Sequence, residues 1–186
     1  MRHRRRRIHR RMNRHRLNGF FHESRTADTT DHWFTPKWIL DALGLFDLDP
    51  CAAPESMRPY PTARVMWCLP EHDGLRERWW GRVWCNPPYG RGIDRWIMRM
   101  ADHGRGTMLI FARTGTRAWQ DGIFRRASSI LFVRGRIHFM NKHNENGIGS
   151  PSPSALVAFG KEDVEILERS GIQGYHIRLR GEDRRG

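Results

Sequence analysis

Apolar and polar positions divide the chain into short elements of alternating kind. Residues 1 to about 30 show no apolar periodicity: a basic block is followed by the polar run Glu23-Ser24-Arg25-Thr26-Ala27-Asp28-Thr29-Thr30-Asp31. A segment that buries so little cannot offset its ordering entropy, so it reads as a disordered arm. Order is expected from Trp33-Phe34-Thr35-Pro36 onward. Thr35 is placed to cap a helix whose first residue is Pro36. Trp38, Ile39, Leu40 and Leu43 fall on one side of it, and Gly44 stops it. Strands are predicted at Leu45–Asp49 (ended by Pro50), Val65–Cys68 and Arg82–Cys85. Ile93, Trp96, Ile97 and Met100 recur at helical spacing, which predicts a helix from Gly92 to Met100. Thr107–Phe111 is a continuous run of the kind buried on both faces of a sheet. A helix is expected at Trp119–Arg126, then strands at Ser129–Val133, Arg136–Phe139 and Ala155–Phe159. Asn141–Ser154 is rich in Asn, Gly, Ser and Pro and reads as one long connection, either a lid or a solvated loop. Glu162–Arg169 and Tyr175–Leu179 read as an appended helix and edge strand, and Gly181–Gly186 as a polar tail. Alternating strands and helices predict an α/β domain with a mostly parallel sheet covered on both faces.

Charge adds a partner to this picture. The 186 residues carry a net charge of +13, which points to a polyanion. The imbalance is local: Met1–Arg16 holds nine arginines, three histidines and no acid, and without it 24 bases face 20 acids. That stretch is expected to touch nucleic acid nonspecifically, unless translation begins at Met12 and residues 1–11 are not made. Only three of the 33 bases are lysine. Arginine suits phosphate through its fork of donors, although a GC-rich genome would enrich it everywhere. Cys51, Cys68 and Cys85 are odd in number and far apart, which argues against a disulfide framework or a zinc site and fits a reducing cytoplasm. The basic N-terminus has no apolar stretch behind it and does not resemble a signal peptide. No run of about 18 apolar residues is present, so no membrane span is expected.

The chemistry concentrates in Asn86-Pro87-Pro88-Tyr89, directly after the strand Val83-Trp84-Cys85. Pro87 fixes φ and lacks an N–H, so its carbonyl is held in a set direction. The Asn86 carboxamide oxygen is a second acceptor. Tyr89 offers a flat ring against which a planar molecule can lie while those acceptors hold its exocyclic amine. This arrangement suits methylation of a nucleobase amino group; the plainer alternative is a Pro-rich turn closing a strand. A second strand end, Asp49-Pro50-Cys51-Ala52-Ala53, pairs an acid with small residues that allow close approach by a cofactor. Asp73, in Asp73-Gly74-Leu75, offers a carboxylate to an adenosine group or is an ordinary turn residue. No GxGxxG loop is present.

Taken in order, Trp33-Phe34-Thr35-Pro36, Asp47-Leu48-Asp49-Pro50-Cys51-Ala52, Asp73-Gly74-Leu75 and Trp84-Cys85-Asn86-Pro87-Pro88-Tyr89 resemble the phage-type Dam family of DNA adenine-N6 methyltransferases. Ala112-Arg113-Thr114-Gly115-Thr116, the Gly135-Arg136-Ile137 step with Phe139, and Ser150-Pro151-Ser152-Pro153-Ser154 extend the likeness across roughly residues 30 to 160. The resemblance implies a Rossmann-like class I methyltransferase fold using S-adenosylmethionine on double-stranded DNA, in the cytoplasm of a bacterial host and encoded by a phage or prophage. It implies three parts: an arm at 1–30, a methyltransferase domain at 31–160 and an extension at 161–186. Thr35 and Pro36 would lie by the methionine end of the cofactor, Asp49, Pro50, Cys51 and Asp73 would line its site, and Asn86–Tyr89 would hold the target base. Reaching that base requires flipping it from the duplex, and Arg113 and Arg136 are candidates for the phosphate contacts that offset this. Asn86, where many adenine-specific enzymes have Asp, keeps RNA, cytosine N4 and protein glutamine open as substrates. An inactive basic nucleic-acid-binding protein on the same fold is the reading from another class.

Overall fold

The computed structural model of the chain describes residues 34–140 and 146–179. The basic arm at 1–30, Trp33 and the tail at 181–186 lie outside the described residues. The described chain builds a seven-stranded sheet in the order β2-β1-β3-β4-β8-β5-β9, with a separate two-stranded sheet of β6 and β7. Four short strands form the parallel half: β1 (Leu48–Asp49), β2 (Val65–Met66), β3 (Val83–Cys85) and β4 (Gly106–Phe111). The other three are β5 (Ser129–Val133), β8 (Ser154–Phe159) and β9 (Gly174–Arg178). There β8 runs antiparallel to both β4 and β5, and β9 antiparallel to β5.

The sheet is therefore mixed, which corrects the expectation of a mostly parallel one. Parallel neighbours need a crossover, usually helical. Helix α2 (Ile93–His103) joins β3 to β4, and a π-helical turn (Ala118–Ile123) running into α3 (Phe124–Arg126) joins β4 to β5. Between β5 and β8 there is no helix among the described residues. The chain instead forms a hairpin of β6 (His138–Met140) and β7 (Asn146–Gly149), then returns downward as β8. The stretch expected to be one structureless connection thus contains a strand, and the strand expected at Arg136–Phe139 pairs in the hairpin rather than in the main sheet.

Period-two alternation in the central strands feeds two cores. Met108, Ile110, Ile130 and Val157 pack on one face with Trp96, Ile97 and Met100 of α2 and with Trp119. Leu109, Phe111, Leu131 and Leu156 pack on the other with Ile39, Leu40 and Leu43 of α1 (Lys37–Leu43) and with Val164 and Leu167 of α4 (Lys161–Arg169). A polar cluster ties α4 to β3. Buried Arg82 donates from Nε to Asp163 Oδ1 at 2.9 Å, and Thr107 Oγ1 donates to the same oxygen at 2.9 Å. Arg82 Nη1 also donates to the carbonyls of Leu43 (2.9 Å), the last residue of α1, and of Leu45 (3.1 Å) just beyond it. No helix among the described residues is long and apolar enough to cross a membrane.

Helix α1 departs from expectation at its start. Pro36, not Thr35, occupies the N-cap position, and no side chain caps the helix. The Thr35 hydroxyl is engaged elsewhere, in the site described next.

Candidate active site

From β1 the chain moves outward to β2, then crosses back to β3 on the opposite flank of β1. The carboxyl ends of β1 and β3 thus flank a topological switch point, where open α/β sheets bind ligands. Both strand-end motifs lie there.

Asn86 follows β3 directly and is half-buried. Its Nδ2 donates to Thr35 Oγ1 at 3.1 Å, which turns Oδ1 toward Tyr89. The Tyr89 hydroxyl lies 3.2 Å from Asn86 Oδ1 and 3.3 Å from the Leu109 carbonyl oxygen. Burial pushes that phenol well above its ordinary range, so it remains a donor. The Tyr89 ring stacks on Phe111, with centroids 3.9 Å apart and planes within 17°. The Arg113 guanidinium sits 5.6 Å from the Phe111 centroid. Ring, ring and cation form one stack beside the Asn86 acceptor.

The β1 end is held by Asp49, which is 3% exposed. Its Oδ1 accepts from the Cys51 amide at 3.0 Å and its Oδ2 from Thr62 Oγ1 at 2.5 Å. Burial raises its pKa from the ordinary 3.8 to about 6, while Thr62, Cys51 and Arg58 pull it back down. Cys51 Sγ is 3.9 Å from Cys85 Sγ, the residue before Asn86, so the two motifs touch. Burial and the neighbouring thiol keep Cys51 protonated. Gly74 packs directly on this loop: a Cβ there would lie 1.9 Å from the Pro50 carbonyl oxygen, so only glycine permits the approach. Asp73 is thereby placed beside the loop, with Oδ1 accepting from the Leu75 amide at 3.0 Å and Oδ2 3.2 Å from Arg76 Nε.

The structure thus gathers Thr35, Asp49, Pro50, Cys51, Asp73, Asn86, Tyr89 and Arg113 at one end of the sheet. It leaves Arg136 in a different groove, beside Trp38. Three contributors escaped the sequence reading. Tyr60 donates its hydroxyl to the Thr35 carbonyl at 2.5 Å, Thr62 braces Asp49, and Phe111 backs Tyr89. Phe111 ends a buried strand and was accessible to the strand-end rule that found Asn86. Tyr60 and Thr62 lie in an irregular connection with no local signal.

This geometry is matched by a family-level comparison: the model of Dam, DNA N-6-adenine-methyltransferase, matches residues 23–170. The chain belongs to the Dam family. No curated protein and no solved structure matches it. Membership makes the protein a DNA N6-adenine methyltransferase and implies S-adenosylmethionine as methyl donor. Among the substrates left open by Asn86, it selects adenine in DNA.

Proposed function

We propose that Asn86–Tyr89 hold a flipped-out adenine at the switch point, on a Rossmann-like class I methyltransferase scaffold. The observation that carries this is the Asn86 amide fixed on Thr35 Oγ1 beside a Tyr89 ring stacked on Phe111. Asn86 Oδ1 and the Pro87 carbonyl accept the two N6 hydrogens, which draws the nitrogen toward a tetrahedral geometry and aims its lone pair. Tyr89 gives the base a stacking surface worth about 1–3 kcal/mol, and Arg113 and Arg136 bind phosphates.

The β1 end fits S-adenosylmethionine. Its donor set is an ionisable carboxylate and strand-end carbonyls, suited to a sulfonium and an ammonium. Half-buried Cys51, Ala52 and Ala53 leave room along the backbone, and Thr35, Pro36, Pro50 and Asp73 border the same space. When bound, S-adenosylmethionine supplies an already activated methyl group. Positioning by the residues above is then worth up to about 7–11 kcal/mol, and no strong general base is needed. We place the enzyme in the cytoplasm of a bacterial host, as the product of a phage or prophage gene, reading a short target site through loops.

Methyl transfer from labelled S-adenosylmethionine to unmethylated DNA, followed by nucleoside digestion and mass spectrometry, tests the reading. N6-methyladenine is expected. A different methylated nucleoside, or none, overturns it.

Thr35 is here a positioning residue for Asn86. Thr35→Val keeps the shape and removes the acceptor, and kcat is expected to fall roughly 3–10-fold, the value of one hydrogen bond. An unchanged kcat would show that Asn86 needs no such anchor.

Asp49 gives the site a pH dependence with two opposite signs. Its folded pKa, about 6, lies above its ordinary 3.8, so the folded state holds the proton more tightly. The stability this contributes is complete below about 3.8 and lost as pH rises through about 6. Cofactor affinity is expected to go the other way, weakening as pH falls through about 6 and the carboxylate is neutralised. Calorimetric titration between pH 5 and 8 should show this decline in the natural chain and a flat profile in Asp49→Asn. A decline of equal size in the variant would assign it to another group.

A further inference from the structure

A second recognition surface lies outside the site. A groove of about 660 Å³ is lined by Trp38 of α1, by Arg134, Arg136 and Ile137 after β5, and by Gly171 and Gln173 before β9. Its charged lining is basic: among the described residues, no aspartate or glutamate lines it. Elsewhere, surface arginines such as Arg105, Arg126, Arg169 and Arg178 each lie against a carboxylate. Among the described residues, neither Arg134 nor Arg136 does, and both are exposed. Trp38 is 50% exposed on a helix whose other large apolar residues are buried. An indole held open beside two unpaired guanidiniums matches one ligand chemistry, a planar base on a phosphate backbone.

Position fits the same occupant. β5 runs parallel to β4, since both oppose β8, so the groove opens at the end of the sheet that carries Asn86. In the order β3-β4-β8-β5 the groove is three strand spacings from the clamp, about 14 Å. A DNA strand carries one phosphate per roughly 3.4 Å of helix axis, so that span corresponds to about four nucleotides. The chain's own leading segment is a poor occupant, because the nine arginines of Met1–Arg16 would be set against two more.

Building on the proposed base clamp, we infer that this groove binds the DNA strand flanking the target adenine, about four nucleotides away. Arg134 and Arg136 take successive phosphates, and Trp38 stacks on a base between them. The groove sets how much flanking DNA the enzyme requires.

The test uses the full chain, an Arg134→Ala/Arg136→Ala double variant and Trp38→Ala. Duplex binding is measured across a salt series, and KM is measured for duplexes with long flanks and with flanks shorter than about four base pairs. Loss of two phosphate contacts should reduce the log–log salt slope by roughly 1.4–1.8. Trp38→Ala should raise KM on long duplexes about fivefold or more. The natural chain should lose affinity when the flank is shortened, and the double variant should lose little more. Cofactor affinity should hold in all three proteins.

Unchanged slope and KM in both variants, with the natural chain methylating DNA normally, overturns the groove and leaves the clamp standing. A shift in melting temperature with neither slope nor KM altered assigns the groove to the chain's own leading segment, and equally overturns the proposal. Failure of the natural chain to methylate DNA removes the clamp reading, and the salt slopes still decide whether the groove binds nucleic acid.

Discussion

Asp163→Ala is expected to lower the free energy of unfolding by about 3–5 kcal/mol, because it leaves Arg82 buried without a counter-charge. Asp163 is fully buried and Arg82 is 5% exposed. Arg82 Nη2 lies 2.8 Å and Nε 2.9 Å from Asp163 Oδ1. The pair is not a two-pronged fork: Oδ1 accepts from Nε and from Thr107, Nη2 lies close to it without a hydrogen bond, and Oδ2 is buried with no hydrogen-bond partner. Such a pair adds little net stability relative to an apolar replacement, yet breaking it from one side is costly. Arg82 also holds the Leu43 and Leu45 carbonyls and lies 4.0 Å over the Phe46 ring. Arg82→Met should therefore destabilise at least as much as Asp163→Ala. The double variant should cost at least about 1 kcal/mol less than the sum of the singles, since one buried charge without the other is what each single variant suffers. Urea unfolding of the three variants checks this. Additive effects would mean that the two side chains act separately. Arg82 immediately precedes β3, so the same cluster fixes the strand that ends in Asn86, and loss of activity should follow loss of structure in these variants.

None of that cluster was legible in the sequence. Arg82 to Asp163 spans 81 positions, and no local pattern marks a charge that will be buried. The readable parts were those set by short-range rules. A continuous apolar run gave the strand at Thr107–Phe111, helical spacing gave α2, and the apolar stretch before Asn-Pro-Pro-Tyr placed Asn86 directly after a strand. Strand direction was not readable in the same way. It depends on what joins β5 to β8, and a polar, Gly- and Pro-rich stretch looks like a loop whether or not it folds back as a hairpin. Thr35 shows the limit for single residues. Thr-Pro before a helix is a capping signal, but the hydroxyl meets Asn86, 51 positions away, and a long-range partner displaces the local one. Asp49 was identified as a site residue, yet its bracing by Thr62 and its contact with the Cys51 amide arise only when two loops close over one strand end.

Asn86→Ala is expected to reduce methyl transfer by about 10²–10³-fold or more, the effect of removing one preorganised polar group aimed at the reacting atom. The loss should fall on kcat, with the protein still folded, because Asn86 is half-buried and outside both apolar cores. Two companion variants separate acceptor from scaffold. Asn86→Asp keeps an acceptor oxygen, and the Thr35 hydroxyl can rotate to donate where it now accepts, so substantial activity should survive. Tyr89→Phe keeps the ring that stacks on Phe111 and removes the hydroxyl lying 3.2 Å from Asn86 Oδ1. In the proposed clamp that hydroxyl occupies the acceptor meant for the adenine amine, so binding the base would displace or share it. Its removal should leave kcat within about tenfold of the natural chain, the scale of a single hydrogen bond. Single-turnover rates at saturating DNA and cofactor decide the matter. Equal losses in Asn86→Ala and Tyr89→Phe would make the tyrosine hydroxyl a participant and not an occupant of the acceptor. Full activity in Asn86→Ala would move the amine to other acceptors altogether, the Pro87 carbonyl being the other one proposed.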